Sequence, residues 1–259
     1  MYSKIALSIG GSDSGGGAGI QADLRTFMAL KVHGCSAITC ITAQNSIEVT
    51  CVEAVEKNTL LSQLDTLFSD FSIDSLKTGM LLNERIIIDT ASKLNKYKIT
   101  KIIDPVMVSR TGSKLLEDSA INAYKKILLP IADLVTPNIY EANLLSGVKI
   151  ESKEDIENSA RNIISLGAKA VLIKGGGLKG MKGKDFFLDA NGRNHWLVSN
   201  YVNTVNTHGS GCTLSAAICG YIALGFESLD AIQKAKIFVE KSLRNSYKIG
   251  AGPGPLGHH

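Results

Sequence analysis

Proline and aromatic residues are both scarce in this chain of 259 residues, which has 5 prolines and only 6% aromatic side chains. Few prolines means few enforced breaks, so long helices and interior strands are permitted along most of its length. Charge of one sign is also lacking. The 28 basic and 24 acidic side chains leave a net +4, too small a surplus to imply a nucleic acid or a membrane as partner. Cysteine is sparse and unpatterned: Cys35, Cys40, Cys51, Cys212 and Cys219 are odd in number and form no C-x-x-C. Neither a disulfide framework nor a structural zinc site is supported. No apolar run reaches the roughly 20 residues that span a bilayer; the longest, 212-CTLSAAICGYIALGF-226, includes Thr, Ser and Gly and reads as a buried helix. The opening MYSKIALSIGGSDSGG meets glycine before the apolar core of a secretory leader can form, so a cytoplasmic protein is expected.

What the chain has in quantity is glycine, 25 residues, on a background 44% apolar and 20% charged. This is the composition of an ordered globular protein with many tight turns. Apolar, β-branched runs at 5–9, 36–41, 75–78, 101–104, 134–136 and 170–174 read as strands. Helical spacing of apolar residues fills the intervals at 19–30, 59–71, 83–95, 119–128 and 153–166. Strands alternating with helices predict a largely parallel sheet covered on both faces, a three-layer α-β-α fold. Two segments depart from the rhythm: 49-VTCVEAV-55 is a strand with no helix before it, and 185-DFFLDANGRNHWLVSN-200 is a hairpin about Asn191-Gly192. Two further helices, 211–224 and 228–247, precede a Gly/Pro-rich tail. No linker or repeat interrupts the series, and residues 1–259 are expected to form a single domain.

Glycines also mark the candidate site. The stretch 10-GGSDSGGGAG-19 packs six glycines into ten residues ahead of a helix, which lets backbone N–H groups approach a ligand closely. It is not a P-loop, since no Gly-Lys-Ser/Thr follows at the required spacing. A G-x-G-x-x-G at Gly175, Gly177 and Gly180 leads into a hairpin instead of a helix, so the dinucleotide reading fails. Lys174 ends a strand, where ligands of open α/β sheets bind, and its amine suits a phosphate as well as it suits solvent. Asp104 and Glu141 follow strands and have the hard oxygens that Mg²⁺ takes while it grips nucleotide phosphates. Asn138 with Glu141 equally reads as a capping box. In 207-THGSGCTLSAA-217, Gly209, Gly211 and Cys212 open a helix whose free amides form an anion hole. That field should bias the Cys212 thiol toward thiolate.

Taken together, 10-GGSD-13, 16-GGAGIQADL-24, 43-AQN-45, 79-GML-81, 104-DPVMV-108, 136-TPN-138 with Glu141, 172-LIKGG-176, 207-THG-209 and 211-GCTLSAA-217 resemble the hydroxymethylpyrimidine and phosphomethylpyrimidine kinases of thiamine biosynthesis, within the ribokinase-like superfamily. The resemblance runs end to end. It implies a ribokinase-like fold with no large separate lid, usually dimeric, that uses Mg²⁺ with ATP to phosphorylate a pyrimidine hydroxymethyl group and then the resulting monophosphate. By motif, Gly11, Ala18, Asp23, Gln44, Met80 and Val106 would line the pyrimidine pocket. Asn138, Lys174 and Thr207 would lie near ATP, and Asp104 and Glu141 near the metal. Cys212, between the amides of Gly209 and Gly211 and the substrate, would stand where sugar kinases of the superfamily carry their catalytic Asp. The chain departs from the family pattern at 13-DSG-15, Gly177 and Tyr140. Pyridoxal kinase is the nearest alternative, and a non-catalytic pyrimidine- or nucleotide-binding protein is the alternative from another class.

Overall fold

The structure, a computed structural model, describes residues 4–107 and 118–259. Nine strands make one sheet: β1 (Ile5–Asp13), β2 (His33–Gln44), β3 (Val49–Ala54), β4 (Ser75–Thr78), β5 (Thr100–Ile103), β6 (Leu134–Val135), β7 (Ala170–Lys174), β8 (Lys184–Asp189) and β9 (Asn194–Val198). Their order is β3-β2-β1-β4-β5-β6-β7-β8-β9. Pairing is parallel from β2 across to β7. It is antiparallel at both margins, where β3 and the β8–β9 hairpin close the sheet.

The helices are α1 (Gly19–Ala29), α2 (Lys57–Asp70), α3 (Glu84–Leu94), α4 (Asp118–Ala123), α5 (Ile139–Ser146), α6 (Lys153–Ser165), α7 (Ser210–Ala223) and α8 (Ser228–Arg244). Neighbouring strand residues point to opposite faces, and the core divides accordingly. Leu7, Ile103, Val135 and Ile173 pack beneath Leu64 of α2, Ile87 of α3 and Ile163 of α6. Ala6, Ile102, Leu134 and Leu172 pack against Phe27 of α1, Ile218 of α7 and Ile232 of α8. Apolar side chains on both faces are what a parallel interior strand requires, and the three layers expected from the alternation are present.

The differences from expectation are local. β1 does not stop at Ile9 but continues through the glycines to Asp13, with a register shift between Gly10 and Ser12. Gly10 keeps its pairing with Ile38 of β2 because pairing uses only the backbone, and Gly11 falls in the irregularity. β2 runs on from Ile41 to Gln44. The helix expected at 119–128 is α only to Ala123, then winds as a π turn through Tyr124–Leu128 and a 3-10 turn at Leu129–Ile131, in whose first turn Pro130 is tolerated. The last helix ends at Arg244. Val108 of the 104–108 motif lies outside the described residues.

Candidate active site

The parallel strands deliver the chemistry to one edge of the sheet, their carboxyl ends, as open α/β sheets do. Asp104 follows β5 and is 2% exposed. Its Oδ1 accepts from Lys174 Nζ and Thr136 Oγ1, both at 3.2 Å, and its Oδ2 accepts from Ser215 Oγ at 2.9 Å. Lys174 closes β7, where its N–H donates to the Pro137 carbonyl at 2.9 Å. Burial works against the Lys174 charge, but Asp104 and Glu141 outweigh it and hold the amine above its ordinary range.

Glu141 serves two purposes. Its Oε2 accepts from the Asn138 amide at 2.8 Å while Asn138 Oδ1 accepts from the Glu141 amide at 2.9 Å, so the capping box that starts α5 is formed. Glu141 is nevertheless buried beside Asp104 and Lys174. Burial pushes its carboxyl up to about 7, opposed by Lys174 and reinforced by Asp104. Asn138, expected near ATP, has its carbonyl oxygen committed to the cap. Among the described residues no group of three or more His, Cys, Asp or Glu side chains converges as a closed metal cage. Two buried carboxylates of hard oxygens do fit Mg²⁺, which is commonly held by one or two carboxylates with waters and substrate phosphates.

Opposite Lys174 stands the N-terminus of α7. Gly209 caps it at φ 82°, and a Cβ there would lie 1.9 Å from the Gly17 carbonyl oxygen, so only glycine fits the turn. The Ser210 amide is satisfied by the Thr207 carbonyl at 3.2 Å, which is the visible part played by Thr207. The amides of Gly211 and Cys212 find no acceptor among the described residues. A Cβ on Gly211 would stand 3.5 Å from Lys174 Nζ. Two open amides, a helix dipole and a lysine therefore address one point, an anion site.

Cys212 lies at this point, but not as the thiolate its position on the helix suggested. Burial pushes the thiol up to about 11; Lys77 pulls it down, Asp23 and Asp104 push it up, and the Gly19 amide lowers it. Desolvation of the charged sulfur outweighs the helix end, and the free protein holds a thiol.

The other half of the site is a wall of small and soft groups. A Cβ on Gly11 would be 2.8 Å from Cys40 Sγ and 3.7 Å from Met80 Sδ, so the bare Gly11 backbone faces two sulfurs. The loop to α1 is wound around Asp13: Oδ1 accepts from the Gly15 amide at 2.8 Å, and Oδ2 from Gly17 at 3.1 Å and Ala18 at 2.8 Å. Gln44 ends β2 facing this loop, with Ser14 Oγ bonded to its backbone carbonyl at 2.8 Å, and Val106 is half-buried in the turn after Asp104. Asp23 is 2% exposed, its oxygens accept from Lys77 Nζ at 2.8 and 3.0 Å, and Ser8 Oγ donates to Oδ2 at 2.6 Å. It stands near enough to Cys212 for its charge to act on the thiol. The tail folds back beneath the α7 turn: His208 N–H donates to the Gly254 carbonyl at 3.1 Å and pairs with Pro255 in a parallel bridge.

Three contributors had not been singled out from sequence. Lys77 is a fully buried lysine within the four-residue strand SLKT, every residue of which is buried, and a lysine is rarely buried unless it is paired. Ser215, four residues after Gly211 and so on the same face of α7, bonds Asp104. His208, inside the 207–209 motif, meets Asp13 Oδ2 through Nε2 at 2.9 Å.

A parallel three-layer sheet that gathers an anion hole, a lysine and two acidic side chains at its carboxyl edge defines a phosphotransferase of the ribokinase-like class. The comparisons narrow the class. The family model described as phosphomethylpyrimidine kinase matches residues 13–257, and the chain belongs to that family. It is 52% identical over 259 residues to the hydroxymethylpyrimidine/phosphomethylpyrimidine kinase of Synechococcus elongatus, covering 100% of this chain and 98% of that protein. Among solved structures it resembles an ADP complex of Bacillus subtilis pyridoxal kinase, with a TM-score of 0.92 and 37% identity over 98% of this chain and 97% of that one. A complex of Staphylococcus aureus pyridoxal kinase with AMP-PCP and pyridoxal matches with a TM-score of 0.90 and 36% identity over 98% and 93%.

Proposed function

We propose that this kinase transfers the γ-phosphoryl group of ATP to the hydroxymethyl group of 4-amino-5-hydroxymethyl-2-methylpyrimidine, and then phosphorylates the monophosphate to the diphosphate, in thiamine biosynthesis. The observation that carries the reading is the meeting, at Cys212, of the open Gly211 and Cys212 amides and the Lys174–Asp104 pair with the wall of Gly11, Met80 and Gln44. One side suits a phosphoryl group and the other a small heteroaromatic ring.

In this reading the ring lies on the Gly11–Met80 backbone and sulfur surface, bordered by Ala18 and Val106, while Gln44 reads a ring nitrogen. The anion hole receives the phosphoryl oxygens, and Lys174 neutralises charge beside it. Cys212 touches the reacting hydroxyl: its thiol gives its own proton to solvent as the reactants bind, and the thiolate, with Lys77 behind it, takes the hydroxyl's proton late in transfer, when the oxygen has become acidic. Asp104 and Glu141 would hold Mg²⁺, which would supply positive charge against that of the nucleotide phosphates. Asn138 and Thr207 border the nucleotide through the start of α5 and the turn before α7. The chain works as one domain and as a homodimer, with the exposed Ile41, Ile47, Val49 and Val52 about the β2–β3 edge covered by a second copy. Its five free cysteines suit the reducing cytoplasm.

The test is mass spectrometry of products formed over time from MgATP and either the hydroxymethylpyrimidine or pyridoxal. The expected result is pyrimidine monophosphate followed by diphosphate. Phosphate on pyridoxal alone overturns the substrate and keeps the kinase.

A further inference from the structure

His208 Nε2 faces two partners at once. Asp13 Oδ2 is 2.9 Å away and Gln44 Nε2 is 3.4 Å away. Asp13 accepts through both oxygens from the amides of Gly15, Gly17 and Ala18, an arrangement that suits an ionised, acceptor-only carboxylate. Burial raises its pKa, but the bonds from His208 and from the loop amides prevail and leave it below its ordinary value. The atom of His208 that meets Asp13 must therefore carry hydrogen, in the neutral ring or in the imidazolium alike.

That proton decides the neighbour. Two N–H groups cannot bond each other, so the Gln44 amide nitrogen does not belong against His208. The oxygen and nitrogen of a carboxamide are assigned by their partners, and here the partners agree on the reverse orientation. Turned over, Gln44 offers its oxygen to His208 Nε2–H and its NH₂ to Thr42 Oγ1, at the 3.3 Å contact on its other side. Thr42 is ready to accept, because its own hydroxyl hydrogen goes to the Ser12 carbonyl at 2.9 Å. Every hydrogen in the chain Asp13, His208, Gln44, Thr42, Ser12 then has an acceptor except one, a Gln44 N–H that is left over.

We propose that Asp13 and His208 form a specificity-determining positioning pair, which turns the Gln44 carboxamide so that it offers its remaining N–H to an unprotonated ring nitrogen of the substrate. The inference rests on the pyrimidine kinase reading and deepens it. Neither residue touches the reacting atoms; both act through Gln44. The pair also explains why the imidazole is so firmly mounted, since Gly17 packs where a Cβ would stand 2.3 Å from the ring and the His208 backbone is bonded to the tail.

Imidazole ¹⁵N NMR of the free wild-type protein tests the first half: the His208 resonances should show hydrogen on Nε2, and a bare Nε2 with hydrogen on Nδ1 alone overturns the inference. Kinetics test the second. H208N, whose amide falls short of Asp13 and Gln44, should raise KM for the hydroxymethylpyrimidine tenfold or more, with kcat and KM for ATP within about twofold. H208Q, whose longer amide reaches the same place, should recover most of that loss. An unchanged pyrimidine KM in H208N, or a parallel loss of kcat and both KM values in the two variants, overturns the positioning role. The NMR result needs no substrate, so a wrong hydrogen position and a wrong substrate assignment appear as separate failures.

Discussion

Cys212 shows how a single side chain reconciles two opposing fields. The α7 N-terminus and Lys77 favour a negative sulfur, and burial forbids it until substrate arrives; burial wins in the free protein. Cys212→Ala should lower kcat by about 10²-fold, the lower end of what a positioned proton acceptor contributes, with KM for the pyrimidine changed little; steady-state kinetics with that substrate decide it. Glu141 is the second residue poised between fields. Its carboxyl rises from 4.5 to about 7 in the fold, so between those values the folded protein holds a proton that the unfolded chain releases. The stability from neutral Glu141 is complete below about 4.5 and is lost as pH rises through about 7. Glu141→Gln, neutral throughout, should flatten the dependence of Tm on pH across that window and melt no lower than wild type at pH 8, while losing activity. The glycines, the cysteine and both acids could be picked out from sequence because each stands in a motif. The direction of the thiol's shift could not, since it depends on how much water the fold removes.

At the scale of elements, α1 and β4 are bolted together by charge. Asp23 of α1 and Lys77 of β4 meet with essentially no exposure, and such a pair is costly to break because the survivor stays buried and unpaired. Lys77→Met should destabilise by about 3–5 kcal/mol in urea unfolding, and adding Asp23→Leu should restore most of it. A double variant no more stable than the single would show that the loss came from packing. The assignment of helices and strands followed from periodicity almost everywhere. It failed where backbone geometry departs from the rule while the side chains keep it: β1 pairs on past its glycines, and the helix after Asp118 widens into a π turn. The partner of Asp23 was out of reach for another reason. A motif fixes position along the chain, whereas Lys77, which bonds Asp23, lies 54 residues away.

Over the whole molecule, the sheet order sets Gln44, Gly11 and Met80 at the carboxyl ends of β2, β1 and β4 and Asp104 and Lys174 at those of β5 and β7, along one edge of the sheet. The exposed apolar residues of the β2–β3 margin should govern association: Val52→Lys with Ile47→Lys is expected to give a monomer by light scattering, where wild type gives a dimer. A wild type that is itself monomeric counts against the second copy. The tail, read in the sequence only as a Gly/Pro-rich end, packs at close quarters, since a Cβ on Gly252 would lie 1.9 Å from the Ser46 carbonyl oxygen and one on Gly254 1.8 Å from that of Tyr247. Because Gly254 and Pro255 hold the backbone of His208, the turn that opens α7 receives its last support from residues that follow it by more than forty positions. During synthesis the ring-binding wall, whose last member is Val106, therefore waits for nearly the entire chain before the site is assembled.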